Sequence, residues 1–124
     1  MTVLIDSWAW IEYFKGSESG KKPKEIIESD EQILVATINL SEIYRFLLDN
    51  KPHDADKLIK FVIGSSFVIP LEVSTALKAA KIKKMFKIGL ADAIVVATAE
   101  ENKGMIITGD PDFKNLKNVI YIGK

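Results

Sequence analysis

Short apolar runs alternate along this chain with stretches whose apolar residues recur at helical spacing. The runs Thr2–Ile5, Gln32–Thr37, Ser66–Leu71, Met105–Thr108 and Val119–Ile122 are rich in Val, Ile and other large apolar residues and predict strands. Ser7–Lys15 predicts a helix stopped by Gly16, and a polar loop over Gly16–Gly20 leads into a short helix, Pro23–Ser29, with proline in its first turn. Asn39–Asn50 predicts a helix with Asn39 as N-cap and Glu42 three residues on, in the manner of a capping box. Asp54–Ile63, ended by Gly64, Val73–Phe86, and Ala91–Asn102, ended by Gly104, predict three more helices, and Asp112–Leu116 a helical turn. Strands that alternate with helices or helix pairs give a mainly parallel sheet covered on both faces. The stretch Ala91–Ala99 is apolar almost all round, so its helix should be buried.

Composition narrows the picture. A length of 124 residues, 48% apolar and 27% charged, is that of one globular domain spanning residues 1–124 with a real core. There is no cysteine, which removes disulfides and zinc–thiolate sites and fits a cytoplasmic protein. Lys+Arg and Asp+Glu both total 17, so a nucleic-acid partner would need a local basic patch. No apolar run reaches the roughly 20 residues of a membrane span, and the N-terminus does not read as a signal peptide.

Four carboxylates stand where chemistry is expected. Asp6 ends the first strand and Asp110 follows the fourth, while Glu42 and Asp92 open predicted helices. Strand C-termini and helix N-termini share one edge of an open α/β sheet, the edge where such folds place ligands. Each acid also has a plain explanation: Asp6, Glu42 and Asp92 suit helix starts, and Asp110 before Pro111 suits a turn. Two details favour a site. Asp6 and Asp110 follow strands expected to be buried, where an unpaired charge is costly. Asp92 heads the most apolar helix of the chain. Acids that converge need a cation between them, and Mg²⁺ or Mn²⁺ takes such oxygen ligands and promotes hydrolysis of phosphodiesters.

Other chemistries are poorly supplied. The lone histidine, His53, lies in a polar stretch, and neither GxGxxG nor a Walker A loop is present. Lys81, Lys83, Lys84 and Lys87 run into Gly89–Asp92, so they either complement a helix C-terminus or hold RNA phosphates beside the acids. Trp8, Trp10, Tyr13 and Phe14 give the first helix more aromatic surface than one sheet face should cover. One stripe is expected to pack inward, and the other, with Trp10 and Phe14, to stay exposed or meet a partner.

At this point the sequence resembles a known family. Leu4–Gly16, which contains Asp6, looks like the opening of PIN-domain proteins and in particular of VapC-type toxins. Asn39-Leu40-Ser41-Glu42 resembles their second acidic motif, Gly89–Ala99 with Asp92 their third, and Thr108-Gly109-Asp110-Pro111-Asp112-Phe113 their fourth. The motifs occur in order and span nearly the whole chain. The resemblance implies a three-layer α/β/α sandwich with a four- or five-stranded, mainly parallel sheet. It implies a Mg²⁺- or Mn²⁺-dependent endoribonuclease with Asp6, Glu42, Asp92 and Asp110 as metal-binding catalytic acids. Thr108 and Asp112 would support them from just outside. It also implies a homodimer held inactive by a cognate antitoxin, for which Trp10 and Phe14 are candidate contacts.

The rival readings differ in testable ways. A phospho-receiver would carry an acceptor aspartate after its third strand, and Phe67–Leu71 has none. An aspartyl phosphatase would place a second aspartate two residues after Asp6, where Trp8 stands. A non-catalytic PIN-like module binding RNA or protein remains the serious alternative.

Overall fold

A computed structural model describes residues 1–123. Five strands, β1 (Thr2–Ile5), β2 (Gln32–Ala36), β3 (Phe67–Ile69), β4 (Met105–Thr108) and β5 (Val119–Tyr121), form one sheet in the order β3-β2-β1-β4-β5. Every neighbouring pair is parallel, with Leu4 opposite Leu34 on one side and Ile106 on the other. The helices are α1 (Ser7–Lys15), α2 (Lys21–Ile27), α3 (Thr37–Asn50), α4 (Ala55–Ser65), α5 (Val73–Phe86) and α6 (Leu90–Glu101). Short 3₁₀ turns cover Glu18–Gly20 and Pro111–Phe113.

Alternation along the strands divides the core. Val3, Ile5, Ile33, Val35 and Ile107 face one way and pack on residues of α1–α4, including Trp10, Ile43 and Leu47. Leu4, Leu34 and Ile106 face the other way onto α6, with Ala79 and Ile82 of α5 closing that layer. The result is the expected three-layer sandwich. The helix α6 is buried as its composition requires: Ala93 and every residue from Val95 to Ala99 are shielded. Among the described residues no helix is long and apolar enough to cross a membrane.

Several element boundaries differ from the sequence reading, each for a local reason. α3 begins at Thr37, so Asn39 is not its N-cap but lies inside the first turn. There its side-chain oxygen accepts from the Ala36 amide at 3.4 Å, and its amide nitrogen is free for other partners. α4 runs through Gly64 to Ser65, because a glycine costs a helix only about 1 kcal/mol, too little to end one anchored by buried Val62. β3 stops at Ile69, because Pro70 has no N–H to extend the ladder. Gly16 does terminate α1, in the left-handed conformation at φ 68°.

Trp10 departs most from expectation. It is fully buried beneath Tyr13, Phe14 and Phe61, and its indole N–H has no hydrogen-bond partner. The exposed aromatic stripe expected at Trp10 is absent because α4 packs Phe61 over it. Phe14 remains only partly covered and Phe61 is 41% exposed, so the aromatic surface open to solvent belongs to the edge between α1 and α4.

Candidate metal centre

The chain leaves β1 for β2 and β3 on one side of the sheet and later returns to place β4 and β5 on the other. Its direction therefore reverses between β1 and β4, and the crevice beyond their C-terminal ends is where open α/β sheets bind ligands. Asp6 ends β1 at this point, and Thr108, Gly109 and Asp110 end β4. Asp92 enters from the first turn of α6. Glu42 lies one turn into α3, deeper than a helix-start acid, so the capping-box explanation for it does not hold.

Asp6 is 5% exposed, and its side chain does not cap α1. One carboxylate oxygen accepts from Asn39 Nδ2 at 3.1 Å and the other from Thr108 Oγ1 at 2.9 Å. Thr108 Oγ1 also accepts from the Asp110 amide at 3.1 Å, so one hydroxyl couples the two strand-end acids. Ser7 Oγ donates to Glu42 Oε1 at 2.6 Å while accepting from Asn39 Nδ2 at 2.9 Å, and Asn39 also reaches Glu42 Oε1 at 3.4 Å. Ser7 and Asn39, neither expected at the site and Asn39 expected only as an N-cap, thus hold two of the four acids. The hint was that Asn39 lies three residues before Glu42, and so shares its helix face. Asp110 does serve its turn, accepting from the Asp112 amide at 3.0 Å; the capping role coexists with its place in the cluster.

The charges crowd one another. Burial, and then the neighbouring Asp110, Asp6, Asp112 and Glu42, push the Asp92 carboxyl up to about 7. Burial raises Asp6 to about 6 against the opposing hydrogen bond from Thr108, with Glu42 and Asp110 adding to the rise. One carboxylate oxygen from each of Asp92, Asp110 and Asp112 lies within 4.8 Å of the other two. Oxygen ligands on opposite sides of a Mg²⁺ stand about 4 Å apart, so this group has the size and chemistry for one hard cation. Asp112, expected at the margin, stands in this group, whereas Asp6 and Glu42 are the acids held by side chains of other elements.

The lysines end the neighbouring helix. Lys81, Lys83, Lys84 and Lys87 are all exposed at the end of α5. Lys83 Nζ donates to the Ile88 carbonyl at 3.0 Å, which ties the turn leading to α6 and gives this lysine a structural task.

The sequence model of the PIN domain family matches residues 3–119. This chain belongs to the PIN domain family. No curated protein matches the sequence. Solved structures match in fold at low identity. A toxin–antitoxin complex from Klebsiella pneumoniae is 21% identical with a TM-score of 0.84, over 98% of both chains. DNA-bound VapBC from Salmonella typhimurium is 13% identical with a TM-score of 0.77, again over 98% of both. Mycobacterium tuberculosis VapC20, described as a toxin that cleaves the sarcin–ricin loop, is 13% identical with a TM-score of 0.76, over 93% of this chain and 95% of that one.

This crowding sets a pH dependence for the metal-free PIN domain. Asp6 and Asp92 titrate above the ordinary 3.8, so between about pH 4 and 7 the folded protein binds more protons than the unfolded chain. Stability contributed by these groups therefore falls as pH rises through that window. Asp92→Asn should raise the metal-free melting temperature, and more at pH 8 than at pH 5. Asp6→Asn should bring no such gain, because an amide has one acceptor oxygen where Asn39 and Thr108 both donate. Thermal melts in EDTA at the two pH values test this; an Asp92→Asn effect that is equal at both, or destabilising, would remove the repulsion from the account.

Proposed function

We propose that this PIN domain is a divalent-metal-dependent endoribonuclease and the toxin of a toxin–antitoxin pair. The observation that carries the proposal is the grouping of Asp92, Asp110 and Asp112 within 4.8 Å beside buried Asp6, at the point where the strand order reverses. Asp6, Glu42, Asp92 and Asp110 are the acids of the centre, with Asp112 beside them, and they would hold Mg²⁺ or Mn²⁺. A bound ion of this kind supplies Lewis-acid stabilisation of charge on a phosphodiester and a water of lowered pKa. The chain's own residues do the rest. Thr108 and Asn39 hold Asp6 in one rotamer as hydrogen-bond donors to its carboxylate. Ser7 fixes Glu42 through Oε1, which leaves Oε2 to take a proton from the attacking water. Lys81, Lys84 and Lys87, exposed at the end of α5, are the candidate side chains for RNA phosphates, and unpaired RNA of a single strand or loop is the proposed substrate. Such work belongs in the cytoplasm.

The test is cleavage of single-stranded and hairpin RNA by the purified protein. Cutting should require Mg²⁺ or Mn²⁺ and stop in EDTA. Asp92→Asn and Asp6→Asn should each lower the rate at least a hundredfold, on the order of 3 kcal/mol in the barrier. RNA binding without cleavage in either metal would return the protein to the non-catalytic alternative, and cleavage surviving both substitutions would reject the centre.

The antitoxin reading rests on a second surface. A cleft of about 560 Å³ is lined by Tyr13, Phe14, Leu58 and Phe61, with Lys21 and Lys24 at its rim. It takes the place of Trp10 as the aromatic contact for a partner segment, with Phe14 retained. The structural likeness to toxins solved with their antitoxins supports this reading. Phe67, Leu71, Val73 and Leu77 are all exposed and are the candidate apolar contacts of a homodimer. Phe61→Ala is expected to weaken binding of a co-expressed cognate antitoxin at least tenfold, or about 1.4 kcal/mol. Light scattering of the free protein at micromolar concentration should give a dimer mass. Unchanged affinity would move the antitoxin off this cleft, and a monomer mass would end the dimer.

A further inference from the structure

Gly109 separates Thr108, which bonds Asp6, from Asp110, one of the clustered acids, and its surroundings are tight. A Cβ built at this position would lie 2.4 Å from both Cη2 and Cζ3 of Trp8, and 2.7 Å from Cζ2. These are consecutive atoms on the outer edge of the indole's six-membered ring, so that edge abuts the Gly109 backbone. No other residue type leaves room for it. The carbonyl side of Gly109 is also closed: a Cβ at Gly123 would stand 2.6 Å from the Gly109 oxygen. The Ile122 amide, one residue earlier, donates to the Thr108 carbonyl at 2.9 Å. Gly109 does not occupy the left-handed region, so the space taken by Trp8, and not backbone strain, is what demands a glycine.

We propose that Trp8 is a positioning residue for the acidic centre, a wedge from α1 that fixes the peptide at Gly109 and thereby sets where the Asp110 carboxylate stands. The proposal rests on reading the centre as a metal site. Trp8 lies two residues beyond Asp6 and packs against the core on the α1 side of the sheet. Its rotamer is therefore locked by packing, as a group that must fix a ligand requires. A glycine followed by an acid at a strand end has a wide choice of backbone angles. With the wedge in place, the peptide carrying Asp110 is confined between the indole edge and the strand β4 that precedes it. Asp110 in turn bonds the Asp112 amide, so a shift at Gly109 would move two of the three clustered carboxylates together. Trp8 touches neither substrate nor ion in this account; it acts through Asp110.

The wedge predicts a specific rescue. Mn²⁺ titrations by calorimetry need no RNA and no turnover. Wild type should bind Mn²⁺ and Asp92→Asn should not; if wild type fails to bind, the metal reading itself falls, and the wedge with it. Given wild-type binding, Trp8→Ala should weaken Mn²⁺ affinity roughly tenfold, the usual effect of removing a group that orients a metal ligand. Gly109→Ala should also weaken it, because the added methyl meets the indole. In the double variant the methyl enters the space the indole has left, so the two losses should be less than additive and part of the affinity should return. Circular dichroism confirms that each variant is folded, and Trp8→Phe, which shortens the wedge but keeps a ring, serves if Trp8→Ala does not fold. Mn²⁺ affinity within twofold of wild type in the Trp8 variant, or strictly additive losses in the double variant, would overturn the proposal.

Discussion

Asp6 is the residue on which the rest depends. A carboxylate in a nearly closed environment is costly unless its oxygens are satisfied. Asn39 from α3 and Thr108 from β4 satisfy one each. The Asp6 amide donates to the Ile107 carbonyl, and its carbonyl accepts from the Ala9 and Trp10 amides of α1. Four elements therefore meet at one residue: β1, which it ends, α1, which it starts, and β4 and α3, which donate to it. Burial pushes its carboxyl up to about 6 against the opposing hydrogen bond from Thr108, so the bonds offset only part of the cost of the buried charge. The remaining cost comes from burial and from neighbouring acids, and a divalent cation is the natural group to offset it.

The architecture and the sheet edge to which Asp6, Asp92 and Asp110 belong were legible in the sequence because each rests on a short-range pattern. Five apolar runs separated by helical stretches give the strands in order, and parallel pairing follows from the helical connections. The apolar character of Ala91–Ala99 told of a buried helix. What the sequence hid was set by tertiary partners. Asn39 carries the pattern of an N-cap, but the helix starts two residues earlier and the side chain turns inward to Asp6 and Ser7. Trp10 seemed surplus on α1 because nothing local shows that Phe61, fifty-one residues away, lies on it. Asp112 joins the tight group because the 3₁₀ turn after Asp110 folds it back, a geometry with no local pattern. The glycine at position 109 reads as part of a motif, and only the structure shows the indole it makes room for.

One helix serves both proposed surfaces. The N-terminal end of α1 brings Ser7 to Glu42 and Trp8 against Gly109, and its C-terminal end carries Tyr13 and Phe14 into the cleft edged by Lys21 and Lys24. A nine-residue helix spans about 13 Å, so the two proposed surfaces lie at opposite ends of one short element.

Crowded, partly protonated carboxylates would form a centre for a divalent cation only by giving up their protons. Proton release on Mn²⁺ binding tests this most directly, measured by calorimetry in buffers of differing ionisation enthalpy at pH 6.5 and pH 8.5. With Asp92 near 7 and Asp6 near 6, binding at the lower pH should expel protons, on the order of one per ion, and at the higher pH almost none. Affinity should rise between the two. Mn²⁺ binding with no proton release at pH 6.5, or of equal strength at both values, would contradict the account.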